Sequence, residues 1–276
     1  MPIDQHNLPE KLQLFVDTIW SYYALNKRTF PWRDIDDPYH VVVSEIMLQQ
    51  TQTYRVIPKY EAFVSQFPTF ESLAQAPLRD LLVAWQGLGY NRRALALQAT
   101  AQRIVKEFGG VLPDDPAILE TFPGIGPATA GSICAFAFNN PTIFIETNIR
   151  TVYIHFFAPQ QTEIKDSYLL PLIQETVAQE NPRQWYYALM DYGVMLKSTR
   201  ENPSRKSAHH SKQSRFEGSD RQIRGMILKL LTLHHSLEIS ALYAAIDRPS
   251  ERISKALHQL INEKFLISEN DKINIV

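Results

Sequence analysis

Leu119-Glu120-Thr121-Phe122-Pro123-Gly124-Ile125-Gly126-Pro127-Ala128-Thr129-Ala130-Gly131 is the stretch on which the fold turns. Two glycines two positions apart, flanked by prolines, predict a tight turn between a helix over 117–121 and a helix over 127–138. The backbone N–H groups of such a turn, with the helix N-terminus that follows it, can cradle a phosphate. Gly131, five residues past Gly126, allows two helices to pack closely. The spacing differs from the dinucleotide fingerprint, and no strand precedes it. A purely structural turn has the same sequence, so the rest of the chain has to decide.

Outward from this stretch, apolar residues recur at helical spacing through most of the first 200 positions. Leu12, Leu14, Phe15, Ile19 and Trp20 predict a first helix, followed by a Pro-containing loop over 29–38. A buried helix is expected over 39–57, with 58–66 as its continuation after a kink or as a new helix. Further helices are expected over 70–76, 78–85, 92–108, 148–157, 167–179 and 182–196, and no strand before residue 260. Residues 197–220 are polar and read as a linker or an extended surface segment. Helices then resume over 221–234, 237–246 and 250–264, the last capped by Ser250. Residues 266–268 and 273–276 suit a small hairpin. The fold class expected from this pattern is all-α, with a winged-helix-like module over 219–276.

The bulk numbers exclude more than they assign. The 276 residues are 45% hydrophobic and 21% charged, which is ordinary for a globular protein. No apolar run is long enough for a membrane span, and the first residues lack a secretory pattern. The single cysteine, Cys134, fits a reducing cytoplasm and precludes a cluster held by four cysteines of this chain. Net charge is −1, but between Lys197 and Arg224 eight Lys/Arg face three acids. That stretch is either a solvated linker or a source of phosphate contacts.

Two carboxylates stand out. Glu45 interrupts the otherwise apolar run from Val41 to Leu48. Burial there is costly unless the group is paired or functional, and would raise its pKa toward that of a general acid or base near neutrality. A wet helix face or a pairing with Arg33 are the alternatives. Glu146 follows an apolar run and opens a helix, as a favourable dipole residue or as the ionised group that steadies an oxocarbenium-like sugar. Gln49 to Gln52 offer amides and a hydroxyl to base edges, or simply end a helix.

Several motifs occur together: Pro31-Trp32-Arg33, Asp37-Pro38-Tyr39, Ser44-Glu45-Ile-Met-Leu-Gln-Gln-Thr51, Gly87-Leu-Gly-Tyr90, Pro123-Gly-Ile-Gly126, Asn148 and Ala188-Leu-Met-Asp191-Tyr-Gly193. In this combination the chain, over about residues 9 to 197, resembles the helix-hairpin-helix DNA glycosylases with the Gly/Pro-Asp loop, and among them the MutY-type adenine glycosylases. The resemblance implies base excision repair, in which adenine mispaired with 8-oxoguanine or guanine is flipped from double-stranded DNA and its N-glycosidic bond hydrolysed. It implies Glu45 as the acid that protonates adenine at N7, Glu146 as the carboxylate at the sugar, and Asn148 as the support of that carboxylate. Trp32, Arg33 and Asp191 then surround the flipped base. Gln50, Thr51, Gly87 and Tyr90 contact DNA, as do the hairpin residues Gly124, Ile125 and Gly126 and the basic Lys197 and Arg200. The carbonyls of Glu120, Phe122 and Ile125 match a sodium or potassium site. Each assignment keeps a rival: Trp32 and Tyr90 as core aromatics, Thr51 and Asn148 as helix-terminus residues, Gln50 as an exposed helix residue, Asp191 as the partner of a nearby Arg or Lys.

The chain departs from the family pattern in four places. Glu146 replaces an aspartate, a shift of about one bond length that can cost on the order of 100-fold in rate unless the backbone compensates. Lys197 stands where the first iron–sulfur ligand belongs, so no cluster and no required cofactor are expected. Ala128 occupies the lysine position of the bifunctional lyases, which implies a monofunctional enzyme. The tail is too short for a separate domain that reads the oxidised guanine. A thymine, uracil or other modified-base glycosylase of the same fold, and a DNA-binding protein with weakened catalysis, are the competing readings. The expected lobes are 31–146, and 1–30 with 147–215, with DNA across their cleft and the two glutamates facing each other at its floor. A monomer in a bacterial cytoplasm, nucleoid-associated, is expected.

Overall fold

The computed structural model describes residues 8–276. Fourteen α-helices and three short strands occur among them, in chain order α1 (Leu8–Asn26), α2 (Pro38–Leu48), α3 (Thr53–Gln66), α4 (Phe70–Ala74), α5 (Leu78–Trp85), α6 (Arg92–Phe108), α7 (Pro116–Leu119), α8 (Pro127–Phe138), α9 (Thr147–Phe157), α10 (Asp166–Thr176), α11 (Pro182–Thr199), α12 (Asp220–Leu233), β1 (Leu237–Glu238), α13 (Ile239–Ala245), α14 (Ser250–Asn262), β2 (Leu266–Glu269) and β3 (Lys272–Ile275). The fold is mostly helical, as the periodicity predicts. None of the helices is long and apolar enough to cross a membrane.

The chain forms two compact units. The first comprises residues up to Glu45, with Pro113–Thr121 and Ile125–Lys212. Its core is built from α1, α8, α9, α10 and α11. Phe15 of α1 sits at the centre, with the rings of Tyr153, Phe156, Phe157 and Trp185 at 5.0–5.8 Å, mostly edge to face. Such pairs add about 1 kcal/mol each beyond the area they bury. Helix α8 is buried along its length from Ala130 to Ala137, which accounts for its continuous small and apolar sequence.

The second unit comprises Ile46–Leu112, Phe122–Gly124 and Gln213–Val276. The boundaries differ from the expected 31–146, 1–30 with 147–215, and 219–276. The reason is a shared core: Leu82 of α5 is buried in one cluster with Ile223, Ile227 and Leu231 of α12, Leu260 of α14, and Phe265, with Leu78 and Leu95 against it. The C-terminal module supplies most of this core itself, and Leu82 of α5 joins it from upstream. Its sheet has the order β1-β3-β2, antiparallel throughout, with Leu266 opposite Ile275 and Leu237 opposite Ile273.

Five local expectations are corrected. The helix expected over 39–57 breaks between α2 and α3, where Gln50 takes a left-handed φ of 52°. Pro58 lies inside α3 without ending it. The segment 237–246 begins as strand β1, because Leu237 and Glu238 pair with β3 before α13 starts. The α14 N-cap is Pro249, and Ser250 is the first helical residue. Residues 197–220 are not one linker: α11 continues to Thr199, and a short 3-10 helix, Pro203–Lys206, follows with Pro203 and Ser204 buried. Ile164 and Ser207 then form a β-bridge.

Candidate active site

Glu45 projects from α2 and is half-buried, while Ser44 and Ile46 on either side are buried. Its Oε2 lies 2.5 Å from the hydroxyl of Ser132 on α8. Desolvation pushes the Glu45 carboxyl up to about 7; the Ser132 hydrogen bond opposes this and the charge of Glu146 adds to it. A carboxyl poised there holds a proton for delivery at neutral pH and can release it.

Glu146 is the N-cap of α9. Its Oε1 accepts from the backbone N–H of Asn148 at 2.7 Å and of Ile149 at 3.0 Å. Its Oε2 accepts from the Asn148 side-chain amide at 3.3 Å. Two of the orphan donors at the start of the helix are thus satisfied. The helix-terminus reading of Glu146 is realised. Asn148 is wedged against α11: a Cβ on Gly193 would meet the Asn148 carbonyl oxygen at 2.6 Å and its Cβ at 2.8 Å. Only glycine allows that approach. Both glutamates belong to the first unit.

Asp191, 1% exposed, accepts from Arg33 Nη1 and Nη2 at 2.9 and 2.8 Å, from Arg28 Nε at 2.7 Å and from the Arg28 backbone at 2.9 Å. Burial alone would raise its carboxyl, but the hydrogen bonds and charge of Arg33, then of Arg28, outweigh burial and hold it below the usual carboxylate range. The pairing with a nearby arginine is realised, and it occupies both Arg33 and Asp191. Arg33 also stacks over Tyr187 at 4.4 Å and Phe30 at 5.0 Å. Trp32 is 5% exposed and lies parallel to Phe30 at 5.2 Å. Burial holds the Lys197 ammonium below its ordinary range; Arg28 adds to this and Glu146 opposes it. Lys197 is thus a half-buried neighbour of Glu146, while Arg200 is exposed.

In the second unit, Arg93 of α6 is 9% exposed and gathers two loops. It donates to the carbonyls of Ile46, Met47 and Gln49 at 2.7–2.9 Å, to Leu88 and Gly89 at 3.3 and 3.1 Å, and to Thr51 Oγ1 at 3.0 Å. These are the orphan carbonyls at the end of α2 and of the Gly87–Tyr90 turn. Desolvation lowers the guanidinium to about 10. Thr51 is therefore held by Arg93, and Gln50 is exposed. Gln49 donates to the Gly124 carbonyl at 3.1 Å, and Gly124, at φ 75°, has the Ala96 methyl 2.8 Å from where a Cβ would sit.

Tyr90 has a left-handed φ of 49°. Its hydroxyl accepts from Gln213 Nε2 at 2.5 Å and from Arg221, whose guanidinium lies 4.9 Å from the ring centre. These residues line a cavity of about 1270 Å³ with Arg55, Lys59, Arg92, Arg224 and Lys229. Among the described residues no group of three His, Cys, Asp or Glu side chains is arranged to hold a metal.

Sequence reasoning missed Ser132, Arg93 and Arg28, and placed Arg221 only within a basic stretch. Ser132 gave a usable signal, a hydroxyl inside the buried run of α8. Arg93 gave none, since arginine in an amphipathic helix is ordinarily solvated.

Residues 43–171 match the profile of the HhH-GPD superfamily base excision DNA repair proteins, and the chain belongs to that superfamily. Within it, an adenine DNA glycosylase of Mycobacterium tuberculosis is 30% identical over 237 residues, 76% of this chain and 76% of that protein. An adenine DNA glycosylase of Buchnera aphidicola is 35% identical over 188 residues, covering 66% of this chain. The chain spans only 53% of the length of that Buchnera relative. A thermostable thymine-DNA glycosylase shares the fold, with a TM-score of 0.63 at 24% identity over 71% of this chain and 92% of the other.

Proposed function

We propose that the protein is a monofunctional adenine DNA glycosylase that removes adenine mispaired with 8-oxoguanine or guanine in double-stranded DNA. The observation that carries the reading is the pairing of two unlike carboxyls in one unit. Glu45 is pushed up to about 7, and Glu146 is fixed by backbone donors at the N-terminus of α9. Two carboxyls with divergent environments define an acid and a charge-stabilising partner.

In this reading protonated Glu45 donates to adenine N7. The C1′–N9 bond breaks with its electron pair passing to the base, and the positive charge left on the sugar is met by the Glu146 carboxylate. Asn148 holds Glu146 in place through its amide. Water adds at C1′, its surplus proton passes to the Glu45 carboxylate, and an abasic site is left. Trp32 and the Arg33–Asp191 pair form a rigid wall for the base pocket. Gln50, Thr51, Gly87 and Tyr90, with the hairpin Gly124-Ile125-Gly126 and the basic Lys197 and Arg200, engage the duplex. The carbonyls of Pro123 and Gly124 are taken by Thr100 and Gln49, at 3.2 and 3.1 Å. A sodium or potassium ion in this turn would be held by the carbonyls of Glu120, Phe122 and Ile125, as the family resemblance implies. The chain acts as a monomer and needs no cluster.

Single-turnover cleavage of duplexes carrying adenine opposite 8-oxoguanine, guanine, cytosine or thymine, with thymine and uracil mismatches alongside, tests this. Adenine release opposite 8-oxoguanine that vanishes in Glu45→Gln is expected. Release of thymine or uracil alone would transfer the same chemistry to another base, and DNA binding without any release would remove the enzymatic reading.

A further inference from the structure

Ser132 is 4% exposed, in the middle of the most apolar helix of the first unit, and it touches the acid directly. Its hydroxyl carries one proton and faces two acceptors, Glu45 Oε2 at 2.5 Å and the Thr129 carbonyl at 3.0 Å. One proton cannot serve both at once. With Glu45 ionised, Ser132 donates to the carboxylate. With Glu45 protonated, the carboxyl donates to Ser132 Oγ and the serine hydrogen turns to Thr129. Both states are fully hydrogen-bonded, and they interconvert by rotation about a single C–O bond.

We propose that Ser132 is a positioning residue for the acid, a hydroxyl rotor that keeps the Glu45 carboxyl in one orientation before and after it gives up its proton. The inference rests on the proposed role of Glu45. Proton count is conserved: the proton lost by Glu45 goes to the leaving base, and the serine proton only changes acceptor.

The groups that bear on Glu45 are few. Ser132 faces it from α8 and Glu146 from the start of α9; from α11, the titration of Tyr187 responds to the charge of Glu45. Arg33 acts on Tyr187, and Lys197 on Glu146. Of these only Ser132 is hydrogen-bonded to the carboxyl. The bond to the ionised state is charge-assisted and is the stronger of the two, so its net effect favours the carboxylate. Its removal therefore raises the titration midpoint.

The experiment is Ser132→Ala, which deletes one oxygen and leaves a residue that suits a buried helix. Two readouts are taken: the single-turnover rate of adenine release against pH, and the titration of the Glu45 carboxyl by carbon-13 NMR in the DNA-free protein, assigned with Glu45→Gln. The alkaline fall of the rate and the NMR midpoint are both expected to move up by roughly one pH unit. The low-pH plateau is expected to drop on the order of ten-fold as the carboxyl loses its fixed orientation. Ser132→Thr, whose hydroxyl can keep both acceptors, returns the midpoint toward that of the parent. Superimposable titrations of parent and Ser132→Ala would overturn the proposal and leave Ser132 as packing. If the parent releases no adenine, the proposed function fails, while the NMR midpoint still decides the role of Ser132.

Discussion

The guanidinium of Arg33 and the carboxylate of Asp191 meet through two hydrogen bonds, 2.8 and 2.9 Å, across 158 residues of chain. Neither side chain is more than 3% exposed. A buried pair of this kind adds little over an apolar substitute, but breaking it from one side is costly. Asp191→Asn is expected to destabilise the protein by about 3 kcal/mol, read as a lower urea midpoint at unchanged slope. An unmoved midpoint would show that Arg33 and Arg28 find other counter-charges.

Glu45 couples function to pH in a direction opposite to most carboxylates. Its folded pKa of about 7 lies above the 4.5 of the free group, so between these values the folded state holds more proton than the unfolded one. Stability then falls as pH rises through this window. Glu45→Gln, inactive in base release, is expected to be more stable than the parent at pH 8, by on the order of 1–3 kcal/mol, and to lose that advantage below pH 4.5. Denaturant unfolding at both pH values measures it.

Glu146→Asp separates capping from catalysis. Aspartate is a good N-cap, so thermal stability should hold to within about 0.5 kcal/mol. The carboxylate retreats by about one bond, and single-turnover rates should fall by on the order of 100-fold if the backbone is fitted to glutamate. An unchanged or faster rate would show that the longer side chain confers nothing.

Arg93→Met keeps the length of the side chain and strips donors from the carbonyls of Ile46, Met47, Gln49, Leu88 and Gly89. A loss of about 3 kcal/mol or more is expected. Hydrogen exchange should become faster first in the Gln49–Thr51 and Gly87–Tyr90 loops.

Arg221→Ala frees the Tyr90 hydroxyl of one of its donors and removes a cation from the cavity wall. If the cavity takes a phosphodiester strand, affinity for duplex should drop and the salt dependence should weaken by a slope of about 1. A slope identical to that of the parent would confine Arg221 to holding Tyr90.

Glu45 was legible because a carboxylate in an apolar helix has few inexpensive explanations. Ser132 carried the same kind of signal one helix away, but serine is tolerated in buried helices and the contact to Glu45 spans 87 residues. The helix pattern over 39–57 misled because hydrophobic period does not register one left-handed residue, Gln50. Strand β1 has two residues, too few for alternation to appear. Local pattern is silent on which upstream residues pack into the core of the tail; Leu82 is one of them.

That shared core has a consequence for genetics. A stop codon between residues 216 and 222 would remove every buried partner of Leu82 in this cluster rather than yield a shorter protein with altered base preference. It would strip the cover from Leu82 and its neighbours, and the product would be cleared by proteolysis or lost to inclusion bodies. Such truncation alleles should therefore behave as nulls at the level of protein abundance, whatever the last residues contribute to recognition.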